Sequence, residues 1–156
     1  MFSNVKRSLP VALMVAVVFF MLHATAHAAT SPAGDRCGAI ELGSPPTSSD
    51  EAQARISCFA AAMPQCDPVS LVVSAHTADS IVTRTFLTEQ GDRGCTIAET
   101  LERSQSGKTT TDSNLCTGLR RDKDGLAFTS CGRDGDVVVP AVPSAEAAAA
   151  FTKVRM

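Results

Sequence analysis

Apolar side chains at Ala52, Ile56, Phe59, Ala60 and Met63 recur every three or four residues, while Gln53 and Arg55 fall off that stripe. This spacing predicts an amphipathic helix. Ser48 and Glu51 precede it in the Ser-x-x-Glu pattern of a capping box, so the helix should start there. Pro64 should end it, because the residue before a proline avoids helical backbone. After Pro68 the period changes to two. Val69, Leu71, Val73 and Ala75 share one face of a first predicted strand. A second strand sets Ile81, Thr83, Thr85 and Leu87 against Val82, Arg84, Phe86 and Thr88, and the two are read as antiparallel, joined through residues 77–80. A third places Cys95, Ile97, Glu99 and Leu101 opposite Thr96, Ala98, Thr100 and Glu102, with the stretch EQGDRG before it as a turn.

The flanks carry weaker patterns. Residues 29–48 are rich in Gly, Pro and Ser and predict an irregular arm. Residues 104–114, SQSGKTTTDSN, are read as a polar, flexible loop. CTGLRRDKDGLAFTSC predicts a hairpin with residues 122–125 at its tip and Cys131 at its end. VVVP is a short strand, and Ser144 caps either a short helix through Phe151 or a frayed tail. The predicted fold class is α+β: one N-terminal helix packed on an antiparallel meander of four to five strands, disulfide-stabilised. The organisation is a leader over 1–28, the arm over 29–48, the domain over 49–140 and a C-terminal tail or short helix over 141–156. In topology alone this order resembles cystatin-like folds, although no Gln-x-Val-x-Gly stretch occurs.

The leader is predicted from its three-part layout. Lys6 and Arg7 precede an apolar run from Val11 to Leu22, which gives way to Ala26-His27-Ala28, as in a secretory signal peptide. A spanning helix needs ~20 apolar residues, more than this run supplies. The expected product is secreted or periplasmic, touching a membrane only through the leader before cleavage. Of the 14 Lys and Arg, removing Lys6 and Arg7 leaves 12 against 16 Asp and Glu, a net charge of −4. An acidic chain without a basic run does not favour a phosphate backbone, so nucleic acid is not expected as a partner. Trp and Tyr are absent from the whole chain, which leaves little aromatic surface for stacking bases.

All six cysteines, Cys37, Cys58, Cys66, Cys95, Cys116 and Cys131, follow the leader. An even number in an exported chain predicts disulfides. Along a helix, Cys58 and Cys66 would be ~12 Å apart at ~1.5 Å per residue, beyond the ~7 Å reach of a bridge, so separate partners are expected. The pairing inferred is Cys58 with Cys131, Cys66 with Cys95 and Cys37 with Cys116. No Cys-x-x-Cys or Cys/His set suggests zinc, and no metal or cofactor is expected.

Candidate catalytic chemistry is sparse. His76 is the single histidine beyond the leader, with Ser74, Asp79 and Ser80 near it in sequence, but no Gly-x-Ser-x-Gly elbow accompanies it. SGKTT lacks the leading glycine of a phosphate loop, Glu102 standing in its place. DKDG and GRDGD have calcium-loop spacing without the terminal acidic ligand and are read as turns. The polar strand positions Thr83, Thr85, Thr96 and Thr100, with Arg84, Glu99 and Glu102, suggest a solvated face open to a protein partner. The function expected is a small exported binding or interaction protein, whose partner is an extracellular or periplasmic protein met through the sheet and the loops at residues 89–94 and 104–114. The alternatives are an inhibitor of an extracellular hydrolase and a small secreted hydrolase using His76.

Overall fold

The computed structural model describes residues 37–92 and 94–153. The predicted leader lies outside them. The described chain mixes helix and sheet, with a five-stranded sheet, a second sheet of three strands and three disulfides. β1 (Ala39–Leu42) leads into α1 (Ser49–Ala62), and a 3-10 turn over Met63–Gln65 leads out of it. β2 (Ser70–His76), β3 (Ser80–Gly91), β4 (Gly94–Gln105) and β5 (Lys108–Cys116) follow as an antiparallel meander. β6 (Gly118–Asp122), β7 (Gly125–Thr129) and β8 (Val137–Pro140) form the second, antiparallel sheet, and α2 (Ala145–Thr152) completes the order.

α1 starts where its cap dictates. The Ser48 hydroxyl accepts a hydrogen bond from the Glu51 amide, satisfying one of the unpaired donors of the first turn. The Glu51 carboxylate pairs with Arg55 one turn on. Ala52, Ile56, Phe59 and Ala62 are the buried residues of α1, and the Phe59 ring meets Phe128 of β7 edge-on at 5.4 Å. Phe128 also stacks on Phe86 of β3, with centroids 3.7 Å apart, so one ring joins helix, first sheet and second sheet. Leu71, Val73 and Ala75 of β2 and Ile97 and Leu101 of β4 surround this centre, all buried. Three of the four phenylalanines among the described residues, Phe59, Phe86 and Phe128, thus meet where area burial contributes most.

Several expectations are corrected. Within the stretch read as an irregular arm, β1 pairs in parallel with β2, Ile40 opposite Val73 and Leu42 opposite Ala75. Its Ile40 and Leu42 are buried, so two apolar positions at period two outweigh the Gly and Pro around them. The described strands number eight in two sheets, not four to five in one meander. Residues 104–114 are not a flexible loop: they complete β4, turn at Ser106 and Gly107 and form most of β5. Both turn residues have positive φ, 51° and 77°, the type I′ geometry that matches strand twist, and the threonine run suits an extended strand.

The bridges join Cys37 to Cys58, Cys66 to Cys95 and Cys116 to Cys131. Cys58 and Cys66 do take separate partners, and Cys66–Cys95 is the pair inferred from sequence. Cys58–Cys131 and Cys37–Cys116 are replaced, for two reasons. The parallel pairing of β1 carries Cys37 back to α1, with α-carbons 5.5 Å apart. The β6–β7 hairpin closes through the Thr117 amide donating to the Thr129 carbonyl at 2.8 Å, which brings the flanking Cys116 and Cys131 to 4.0 Å between α-carbons.

Candidate functional site

Strand alternation turns Arg84 of β3 and Glu99 of β4 inward, between Val82 and Phe86 and between Ile97 and Leu101. The polar face expected from sequence therefore does not include them. In the β3–β4 register Phe86 is opposite Glu99 and Arg84 opposite Leu101, making Arg84 and Glu99 diagonal neighbours on one face. Arg84 Nη1 donates to Glu99, and its Nη2 donates to Asp134 Oδ2 at 2.6 Å. Asp134 also accepts from Arg103 at 3.4 Å, and Asn114 Nδ2 donates to Glu99 Oε2 at 3.1 Å. The Arg84 guanidinium lies 5.4 Å from the centre of the Phe151 ring. Two cations face two carboxylates, so the charges balance, which a buried ionic cluster requires.

A cleft of about 310 Å³ opens beside this cluster, between β8 and α2, walled by Val137, Pro140, Ala147, Ala150 and Phe151. Both Nη atoms of the Arg84 that lines it already donate to carboxylates. The cluster ties the first sheet to the β7–β8 connection, while the buried Nε atoms of Arg84 and Arg103 have no hydrogen-bond partner among the described residues. The Glu99 carboxylate also lies within 4.8 Å of the Cys116 and Cys131 sulfurs. Those sulfurs are joined to each other and so offer no thiolate to a metal.

The opposite side of the five-stranded sheet is built otherwise. Register places Val72, Thr85, Thr100 and Ser113 in one row, and Ser74, Thr83, Glu102 and Thr111 in the next. Thr83, Thr85 and Thr100 are half-buried by strand neighbours, while Glu102, Thr111 and Ser113 are exposed. Hydroxyls bond across the strands: Ser74 with Thr83 at 3.3 Å, and Thr109 to Ser104 at 3.4 Å. Leu115, 63% exposed, adds an apolar corner beside Ala98. The surface is a broad hydroxyl lattice on regular strands, capable of hydrogen bonding and shape matching.

His76 is exposed at the end of β2, its Nε2 3.5 Å from Glu41 Oε2. The serines near it in sequence are engaged elsewhere, Ser74 with Thr83 and Ser80 with Thr77. A shallow depression gathers His76 with Glu41, Leu42, Ser44 and Pro45, neighbours that only the parallel β1–β2 pairing reveals. SGKTT forms the β4–β5 turn and the start of β5. Of the two calcium-like stretches, Asp124 lies in the β6–β7 turn, while Asp134 and Asp136 are committed to arginines, Asp136 lying 3.7 Å from Arg120.

Among the described residues no helix is long and apolar enough to cross a membrane. The three disulfides are consistent with a non-cytoplasmic protein. No family model, curated protein or solved structure matches the chain.

Proposed function

We propose that the chain is a small exported binding protein that meets an extracellular or periplasmic protein through the hydroxyl face of its five-stranded sheet. The observation that supports this is the set of half-buried and exposed positions Thr83, Thr85, Thr100, Glu102, Thr111 and Ser113, which alternate along their strands with the buried Arg84, Phe86, Glu99 and Leu101 and lie in two adjacent rows of the register. A face assembled on long hydrogen-bonded strands is already ordered before a partner arrives, so little freedom is lost on binding. The buried residues of α1, with Phe59 against Phe128, and the Cys37–Cys58 bridge beside β1 support the reading that this face has a rigid backing. Export by the leader delivers the chain to a compartment where its bridges form.

The test is capture from the extracellular fraction of the cells that make the protein, with wild type and a Thr85→Arg/Thr100→Arg double variant as baits. The reading predicts a protein retained by wild type and lost with the variant. Equal retention by both would remove the face as the contact surface, and retention of nothing would remove the binding role.

A further inference from the structure

We propose that two copies of the chain pair antiparallel through their β5 edges, in a register centred on Thr110, joining two five-stranded sheets into one continuous sheet. The inference stands independently of the binding role above, because it concerns the edge of the sheet and not its face.

β5 is the last strand of its sheet, and residues 108–113 are all exposed. Its far end is closed, since Gly132 lies so near Asn114 that an added Cβ would stand 2.1 Å from Asn114 Oδ1. The open stretch is therefore Lys108 to Ser113. Gln105 and Lys108 face each other across the two-residue type I′ turn, so they exchange the hydrogen bonds that close the hairpin. By alternation, Lys108, Thr110 and Asp112 direct their amides and carbonyls to β4. Thr109, Thr111 and Ser113 direct theirs outward, where no described strand pairs with them. An unpaired row of this kind is a template for another strand.

The charges select which strand. Lys108 and Asp112 are four residues apart on the same face. An antiparallel copy centred on Thr110 sets Lys108 opposite Asp112 of its partner twice over, with Thr109 opposite Thr111 and Thr110 opposite Thr110. Thr110 and the two Lys–Asp pairs then occupy the narrow, non-hydrogen-bonded sites, where opposite side chains come closest. Thr109 and Thr111 supply the outward amides and carbonyls that bond across the join. Centring on Thr111 would place Lys108 opposite Asn114 and Asp112 opposite Thr110, leaving both charges unmatched. The strand most complementary to this edge is its own antiparallel copy.

Sedimentation velocity decides the point, on protein purified from the cells that make it, with its disulfides formed, from about 1 µM to about 1 mM. A monomer–dimer equilibrium is expected across that range, as suits a small interface. Thr111→Pro removes an outward amide without touching the β4–β5 ladder, a place where proline is tolerated, and should weaken dimerisation at least ~10-fold with an unchanged circular dichroism spectrum. Lys108→Asp should weaken it similarly, and Lys108→Asp/Asp112→Lys should restore it to within about threefold of wild type. A wild type that stays monomeric at the highest concentration overturns the proposal. So does a dimer indifferent to Thr111→Pro, a swap that fails to restore, or an edge found cross-linked to a different polypeptide.

Discussion

Arg84 and Glu99 are buried at 3% and 0% exposure among Val82, Phe86, Ile97 and Leu101, where a lone charge would be costly. Removing Glu99 takes the acceptor from Arg84 Nη1 and Asn114 Nδ2 and leaves two arginines facing the single carboxylate of Asp134, so Glu99→Ala should lower unfolding free energy by ~3–5 kcal/mol. Thr85→Ala on the opposite face should change it by less than ~0.5 kcal/mol. Urea unfolding of both variants checks this, and equal losses would show that the ionic cluster is not what braces the β7–β8 connection. Period two was enough to tell which residues of β3 share a face. It was not enough to place Arg84, because a charged residue reads as solvated until its partners are known. Asp134 is 50 positions away in sequence, and nothing local announces it.

At the scale of elements, the β6–β7 hairpin depends on Gly125. Its φ is +153°, and an added Cβ would stand 2.0 Å from the Val139 carbonyl oxygen on β8. Gly125→Ala should therefore destabilise the protein by at least ~1 kcal/mol through backbone incompatibility. Ser48→Ala should cost α1 ~1 kcal/mol by removing its cap. Thermal unfolding of the two variants should show both losses, and an unaltered Gly125→Ala protein would contradict the close approach of β7 and β8. The capping residue and the Ala52, Ile56 and Phe59 positions of the α1 stripe were legible, since both are local patterns, whereas Ala62 is buried in place of the expected Ala60 and Met63, which are only partly buried. The hairpin was legible too, and its flanking Cys116 and Cys131 follow from it: a hairpin brings the residues just beyond its open end together. Reading 104–114 as a loop failed because polarity was weighed above the β preference of threonine and the turn geometry of Ser-Gly.

For the whole molecule, parallel pairing of β1 with β2 and assembly of the second sheet are long-range events that a single sequence does not display. Both decide where sulfurs meet. Each bridge closes a short loop, of 21, 29 and 15 residues in sequence separation, and such closures typically stabilise by ~2–4 kcal/mol each. Together they reach the ~5–15 kcal/mol net stability of an ordinary domain, so the reduced chain should lose its cooperative unfolding transition under conditions where the oxidised chain keeps it. Loss of that framework should take the hydroxyl face and the β5 edge with it. The central claim is therefore the pairing itself, and non-reducing peptide mapping by mass spectrometry tests it most directly. The account predicts linked peptides for Cys37–Cys58, Cys66–Cys95 and Cys116–Cys131 with no reactive thiol; free thiols, or peptides linked in any other combination, would contradict it.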